Sequence, residues 1–168
     1  MALTTRHLVL RRWQSADLPV LQTTSADPQI PLPQDLPGYL ATLQQDSLAF
    51  ALCLPCGRVI GSLRVLQGTA ASLPLRFREG EIACWVLPQE RSRGLMTEAL
   101  EAVCRLCLTR LPFERLFYCW FSSNTASGRV AKKAGFKLLR TEDYLLPLSH
   151  EVRPRNIEVR ERCGGTDT

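Results

Sequence analysis

The chain has 168 residues, of which 45% are apolar and 22% charged, an ordinary globular balance that excludes both global disorder and a fibrous repeat. There are 21 Lys and Arg against 16 Asp and Glu, for a net charge of +5. Most of the basic residues are scattered rather than gathered into a stripe, so a nucleic-acid groove is not expected. No stretch reaches the ~18 uninterrupted apolar residues of a membrane span. Met1-Ala2-Leu3-Thr4-Thr5-Arg6-His7 meets a charge before a signal-peptide core forms, so a cytoplasmic protein with no membrane partner is the expectation.

His7-Leu8-Val9-Leu10-Arg11-Arg12 reads as a first strand, and Ser15-Ala16-Asp17 supplies N-capping residues for a helix over 18–24. Residues 25–37 hold Pro28, Pro31, Pro33 and Pro37, which predicts an extended, semi-rigid loop before a second short helix over 38–45. Residues 48–54 and 59–66 are apolar runs joined by Pro55-Cys56-Gly57-Arg58, a hairpin signal. A turn-rich connection over 68–78 leads to the strand Glu81-Ile82-Ala83-Cys84-Trp85-Val86-Leu87, which Pro88 closes.

From 94 to 111 the apolar residues Met96, Ala99, Leu100, Val103, Cys107 and Leu111 recur at helical spacing, and Pro112 ends the helix. Residues 116–121 read as a strand buried on both faces, and 124–134 as a short helix with Asn124 at its N-cap and Gly135 past its end. Closing strands are expected over 136–141 and 156–162, then a frayed tail over 163–168. The order β, α, α, β, β, β, long α, β, α, β, β predicts an α/β fold of mixed α+β character, one domain over residues 1–162 without a linker.

Seven cysteines include two Cys-x-x-Cys spacings, Cys53/Cys56 and Cys104/Cys107. The second lies at helical i, i+3 beside Leu100, Val103 and Leu108, where a small apolar side chain simply packs, so no metal site is expected. The odd, dispersed count points to reduced thiols. His7 and His150 are the only histidines, so a Ser/His/Asp triad would rest on one of two isolated residues.

The segment with chemical content runs from the strand through Pro88-Gln89-Glu90 into Arg91-Ser92-Arg93-Gly94-Leu95-Met96-Thr97 and the long helix. Backbone N–H groups at a strand-to-helix turn form an anion cradle, and the helix N-terminus adds about half a positive charge. Two arginines in the same loop suit a pyrophosphate. The segment is neither a Walker loop nor the three-glycine dinucleotide fingerprint.

At this point the chain resembles the RimJ/RimL-like branch of the GNAT superfamily of acetyl-CoA-dependent N-acetyltransferases. Arg6 to Arg11 is similar to the branch's opening strand, and Glu81 to Pro88 to its "EIGYWL-P" strand. Arg91 to Leu100 resembles its "RGKGYATEAL" acyl-CoA loop, and Asn124 to Phe136 its "N-x-x-S-x-R-V-x-E-K-x-G-F" motif. The resemblance implies a single domain whose mostly antiparallel, twisted sheet is splayed at its centre between flanking helices. It implies acetyl-CoA as acyl donor, no metal, and a small-molecule or peptide N-terminal amine as acceptor. Homodimerisation stays open.

By the same resemblance, Trp85, Val86 and Leu87 would pair with the pantetheine arm, and a backbone N–H among them would stabilise the thioester oxyanion. Arg91, Ser92, Arg93, Gly94, Leu95, Met96 and Thr97 would cradle the pyrophosphate, with Asn124 and Lys133 as further cofactor contacts. The family prefers Gly at Ser92 and Gly or Ala at Met96, so the Met96 side chain is expected to point into the core. The tyrosine that many relatives use as general acid aligns with Ala131, which makes Ser127, one turn earlier, the candidate acid. Glu81, at the start of the strand that would line the cleft, is the candidate base, ahead of Glu142 and Asp143. Met96 and the missing tyrosine also suggest the rival reading, a catalytically inactive acyl-CoA-binding or regulatory domain.

Overall fold

The computed structural model describes residues 1–164. Its strands are β1 (Leu3–Thr4), β2 (Val9–Arg11), β3 (Ala49–Cys53), β4 (Val59–Leu66), β5 (Glu79–Val86), β6 (Arg115–Phe121), β7 (Lys137–Leu145) and β8 (Val152–Glu161). Its helices are α1 (Leu18–Thr24), α2 (Leu36–Gln45), α3 (Leu95–Arg105) and α4 (Thr125–Lys133). The strands form one open sheet, mostly antiparallel, in the order β1-β2-β3-β4-β5-β6-β8-β7, with the helices flanking it.

Helix α1 and strand β4 have the expected bounds, and the departures elsewhere have local causes. Helix α2 starts at Leu36, inside the stretch expected to be loop: Asp35 accepts from Gly38 N at 3.0 Å, and Pro37 sits in the first turn, where its missing N–H costs nothing. Strand β1 is too short to carry a period. Helix α3 ends at Arg105, and Leu106–Arg110 continues as a π-helical turn in which Leu111 N donates to Leu106 O at 3.1 Å. Pro112 then holds Leu111 extended at φ −102°, ψ 164°. Strands β7 and β8 both run longer than expected. Cys163 and Gly164 follow β8 outside any regular element, and the rest of the expected tail lies outside the described residues.

The chain divides into two compact units. The first comprises Met1–Val65 and Ala83–Ala99. Antiparallel ladders join β1 to β2, β2 to β3 and β3 to β4. Trp13, Leu21, Leu40, Leu43, Ala49, Ala51, Cys53 and Val59 form a core that packs α1 and α2 onto β3. Burying each large apolar side chain there stabilises by about 1.5–3 kcal/mol. Gly61 lets β4 approach the far half of β5, since an added Cβ would lie 2.5 Å from the Trp85 carbonyl oxygen.

The second unit comprises Leu66–Ile82 and the chain from Leu100 onward. Here β5 runs parallel to β6 from Glu79↔Arg115 to Ile82↔Tyr118, so this ladder covers only the first half of β5. Strand β8 lies antiparallel between β6 and β7. Leu73, Phe117 and Ile157 form a buried cluster that pins the connection after β4 to the sheet. Strand β7 is outermost and exposed along most of its length, with a register shift between Leu138 and Arg140. Among the described residues no helix is long and apolar enough to cross a membrane.

Candidate active site

In the first unit, the strand alternation of β5 sets the direction of its backbone groups. Leu87 N donates to Ile60 O at 2.8 Å, and the Trp85 carbonyl faces Gly61, so these two residues turn toward β4 and Val86 turns the other way. The Trp85 ring packs against Trp13 with centroids 6.5 Å apart. Leu87 is buried and leads into a 3₁₀ turn, Pro88–Glu90. The chain then adopts left-handed backbone twice, at Ser92 (φ 61°) and at Gly94 (φ 75°), before α3 begins at Leu95. Glu98 N donates to Gly94 O at 3.1 Å, which leaves the N–H groups of Leu95, Met96 and Thr97 without intrahelical acceptors. A Cβ added at Gly94 meets nothing within 4 Å, so this turn has room for an anion. Met96 is buried, as its bulk demands.

The arginines of the loop reach neighbouring side chains. Arg91 donates to Gln29 Oε1 at 2.8 Å and to Asp27 Oδ2 at 3.2 Å, tying the loop to the proline-rich segment. Arg93 pairs with Glu90, and Arg58 reaches the same carboxylate at 2.6 Å. The Arg58 hydrogen bond, joined by that of Arg93, holds the buried Glu90 carboxyl below its ordinary pKa. The backbone N–H groups of Leu95, Met96 and Thr97 are open donors at this turn.

In the second unit, Asn124 caps α4 by accepting from Ser127 N at 3.2 Å. Ser127 Oγ lies 2.9 Å from the Tyr118 hydroxyl. Ala131, where many relatives carry tyrosine, is fully buried, and Lys133 is exposed in the last turn. Gly128 lies under Trp120, where a Cβ would come within 2.6 Å of the indole. Glu158, the cross-strand neighbour of Tyr118, is buried with Oε2 lacking a hydrogen-bond partner, and burial raises its pKa.

Glu81 does not present a free carboxylate. Its Oε2 accepts from Ser72 N at 2.6 Å and Leu73 N at 3.1 Å, and its Oε1 accepts from Ser72 Oγ at 2.6 Å. Arg155 donates to the same Ser72 oxygen at 2.8 Å and to Glu142 Oε1 from Nε at 3.1 Å and Nη2 at 2.9 Å. That Arg155 hydrogen bond holds the Glu142 carboxyl below its ordinary pKa.

The structure thus gathers Trp85 to Thr97 in the first unit, and Glu81 and the α4 residues Asn124, Ser127 and Lys133 in the second. Tyr118, Ser72 and Arg155 were not singled out in the sequence. The sequence marks Arg155 only as a member of the basic run from Arg153 to Arg162. Cys104 and Cys107 are fully buried, with burial pushing each thiol up to about 12. Among the described residues no group of three or more His, Cys, Asp or Glu is placed to hold a metal ion.

Comparison with known proteins adds three structural likenesses. A GNAT-family acetyltransferase from Bacillus anthracis superposes with a TM-score of 0.84 at 15% identity, covering 96% of this chain and 99% of its own. RimL, a ribosomal L7/L12 alpha-N-protein acetyltransferase in complex with coenzyme A, gives 0.76 at 18% identity, with 96% and 98% covered. A spermidine N-acetyltransferase chimera from Vibrio cholerae SpeG and hSSAT gives 0.76 at 11% identity, with 93% and 96% covered. At such identities these show a shared fold. A sequence comparison with curated proteins finds no significant match. The family model for the acetyltransferase (GNAT) domain, however, matches residues 7–137, most of the sequence, and on that match the chain belongs to the GNAT acetyltransferases.

Proposed function

We propose that the protein transfers acetyl from acetyl-CoA to a primary amine, by direct attack of the amine on the thioester in a ternary complex. The observation that carries this reading is the turn from Ser92 to Thr97. Two left-handed residues open onto a helix whose first N–H groups lack internal acceptors, beside open space at Gly94. That arrangement suits the pyrophosphate of the acyl donor. Val86 N–H, turned away from β4, is the member of the Trp85–Leu87 trio best directed to receive a thioester oxyanion.

In the reaction the amine nitrogen bonds the acetyl carbon, the C–S bond breaks, and the nitrogen loses a proton to water while the departing thiolate gains one. Ser127 is the candidate donor to the thiolate, with Tyr118 able to replenish it through their shared hydrogen bond. The three donors on Glu81 support an anchoring role rather than that of base. A site without a dedicated base favours an acceptor of low pKa. An α-amino group near pKa 8 is roughly a tenth neutral at pH 7, whereas a lysine-like amine is neutral at far below a percent. Protein or peptide N-termini fit best, and small amines of similar pKa remain in the class.

Acetyl-CoA should raise the melting temperature, because it binds only the folded state. Gly94→Val should abolish the shift, since a β-branched side chain opposes φ 75° and fills the space a phosphate needs. An undiminished shift in a folded Gly94→Val protein would remove the donor-site assignment.

A further inference from the structure

We propose that Arg155 is a positioning residue for the acceptor: through Ser72 it holds Glu81, and with it the connection between β4 and β5, in one arrangement. This rests on the transferase reading, and takes the irregular connection over 67–78 as the segment that borders the acceptor, because such connections are where binding residues gather. Arg155 lies on β8 with its side chain only 7% exposed, a costly place for a charge unless its donors are satisfied. Two directions of its fork meet Glu142 Oε1, and its face lies 4.0 Å from the Tyr144 ring centroid. The remaining direction, Nη1, meets Ser72 Oγ.

Arginine has donors and no acceptor. The single hydrogen of Ser72 Oγ therefore points away from Arg155, and Glu81 Oε1 at 2.6 Å receives it. Ser72 N and Leu73 N fill Glu81 Oε2. The outcome is a one-way chain of donors, from β8 through the connection to a carboxylate on β5 that is 6% exposed. Arg155 blocks the Ser72 hydroxyl from turning back. The same chain fixes the Ser72–Leu73 turn. Leu73 adds the apolar pin against Phe117 and Ile157. A connection held this way is preorganised, so binding an acceptor there need not order it first.

The test uses the full chain with acetyl-CoA and two acceptor probes, a serine-initiated tripeptide amide and spermidine, comparing Arg155→Met, Arg155→Lys, Ser72→Ala and the Ser72→Ala/Arg155→Met double variant. Arg155→Met should raise the KM of whichever probe is used by about tenfold, as expected for loss of a charge-assisted hydrogen bond, with the acetyl-CoA KM within about twofold of wild type. Arg155→Lys should recover part of the loss. Ser72→Ala should reproduce it, and the double variant should be no worse than Ser72→Ala, because Arg155 acts through that hydroxyl. Amide exchange at Ser72 and Leu73 should speed up in each variant. An unchanged acceptor KM in folded Arg155→Met, or additive losses in the double variant, overturns the proposal. If wild type acetylates neither probe, the transferase reading fails. The exchange measurement then decides alone: faster exchange sustains the clamp, and unchanged protection in Arg155→Met overturns it.

Discussion

Ser127 Oγ and the Tyr118 hydroxyl stand 2.9 Å apart, joining the first turn of α4 to a buried position of β6. If this pair delivers the proton that the thiolate takes up, Ser127→Ala should lower kcat about 10²-fold at neutral pH with little change in acetyl-CoA KM. Tyr118→Phe should cost less, since Ser127 keeps its own proton. Steady-state kinetics of both variants check this. A rise in acetyl-CoA KM with kcat intact would make the pair a packing contact.

Glu81→Gln separates a base from an anchor. An anchor predicts a lower melting temperature and an activity loss that stays flat between pH 6.5 and 9.5, because the donors on Oε1 and Oε2 serve the turn and not the amine. A base predicts a loss that shrinks as the amine deprotonates with rising pH. The pH profile of kcat/KM distinguishes them, and we expect the flat one.

Gly128→Ala sets two effects against each other. Alanine in a helix gains about 1 kcal/mol over glycine. The added methyl, however, would sit 2.6 Å from the Trp120 ring, and overpacking of that kind costs about 1–3 kcal/mol. The clash should win, lowering the denaturation midpoint in urea. A higher midpoint would mean that the indole has room to shift.

Acid should loosen the N-terminal hairpin of the first unit. Burial by itself would raise the Glu98 pKa, but hydrogen bonds from Thr5 and His7 outweigh it and lower the pKa below its ordinary value. A carboxylate with a depressed folded pKa stabilises above its unfolded pKa of about 4.5, and that stability is lost as pH falls through the folded value. Melting temperature should therefore drop as pH is lowered from 6 toward 3. Glu98→Gln should start lower at pH 6 and fall less. Parallel curves for the two proteins would show that this carboxylate contributes nothing to the acid limb.

What the sequence made legible follows from where each residue faces. Strand β4 can be read to its ends because an apolar run sits between a Gly-containing turn and a turn-rich connection, and helix α1 because its cap precedes a short apolar stretch. Strand β7 is legible only in part because, exposed along most of its length, it carries no alternation to read. The loop from Arg91 to Thr97 is visible as a contiguous motif. The partners of Arg91 are not, since Asp27 and Gln29 lie more than sixty residues earlier, in a segment without period. Glu81 stands out in the sequence, yet its surroundings depend on Ser72 and Arg155, which the chain brings to it from an irregular connection and a distant strand.

The outermost strand has a further consequence, for how the protein behaves in a crowded solution. Leu138, Leu145 and Val152 are each more than half exposed on the β7–β8 hairpin, beside a free row of backbone donors and acceptors. Such an edge invites another chain to pair with it unless charge or irregularity spoils the match. Lys137, Arg140 and Asp143, together with the register shift near Leu139, supply both. Solubility therefore rests on a handful of ions and one irregular residue along a single strand. It is a property that varies separately from folding stability, and it depends on the salt that screens those ions.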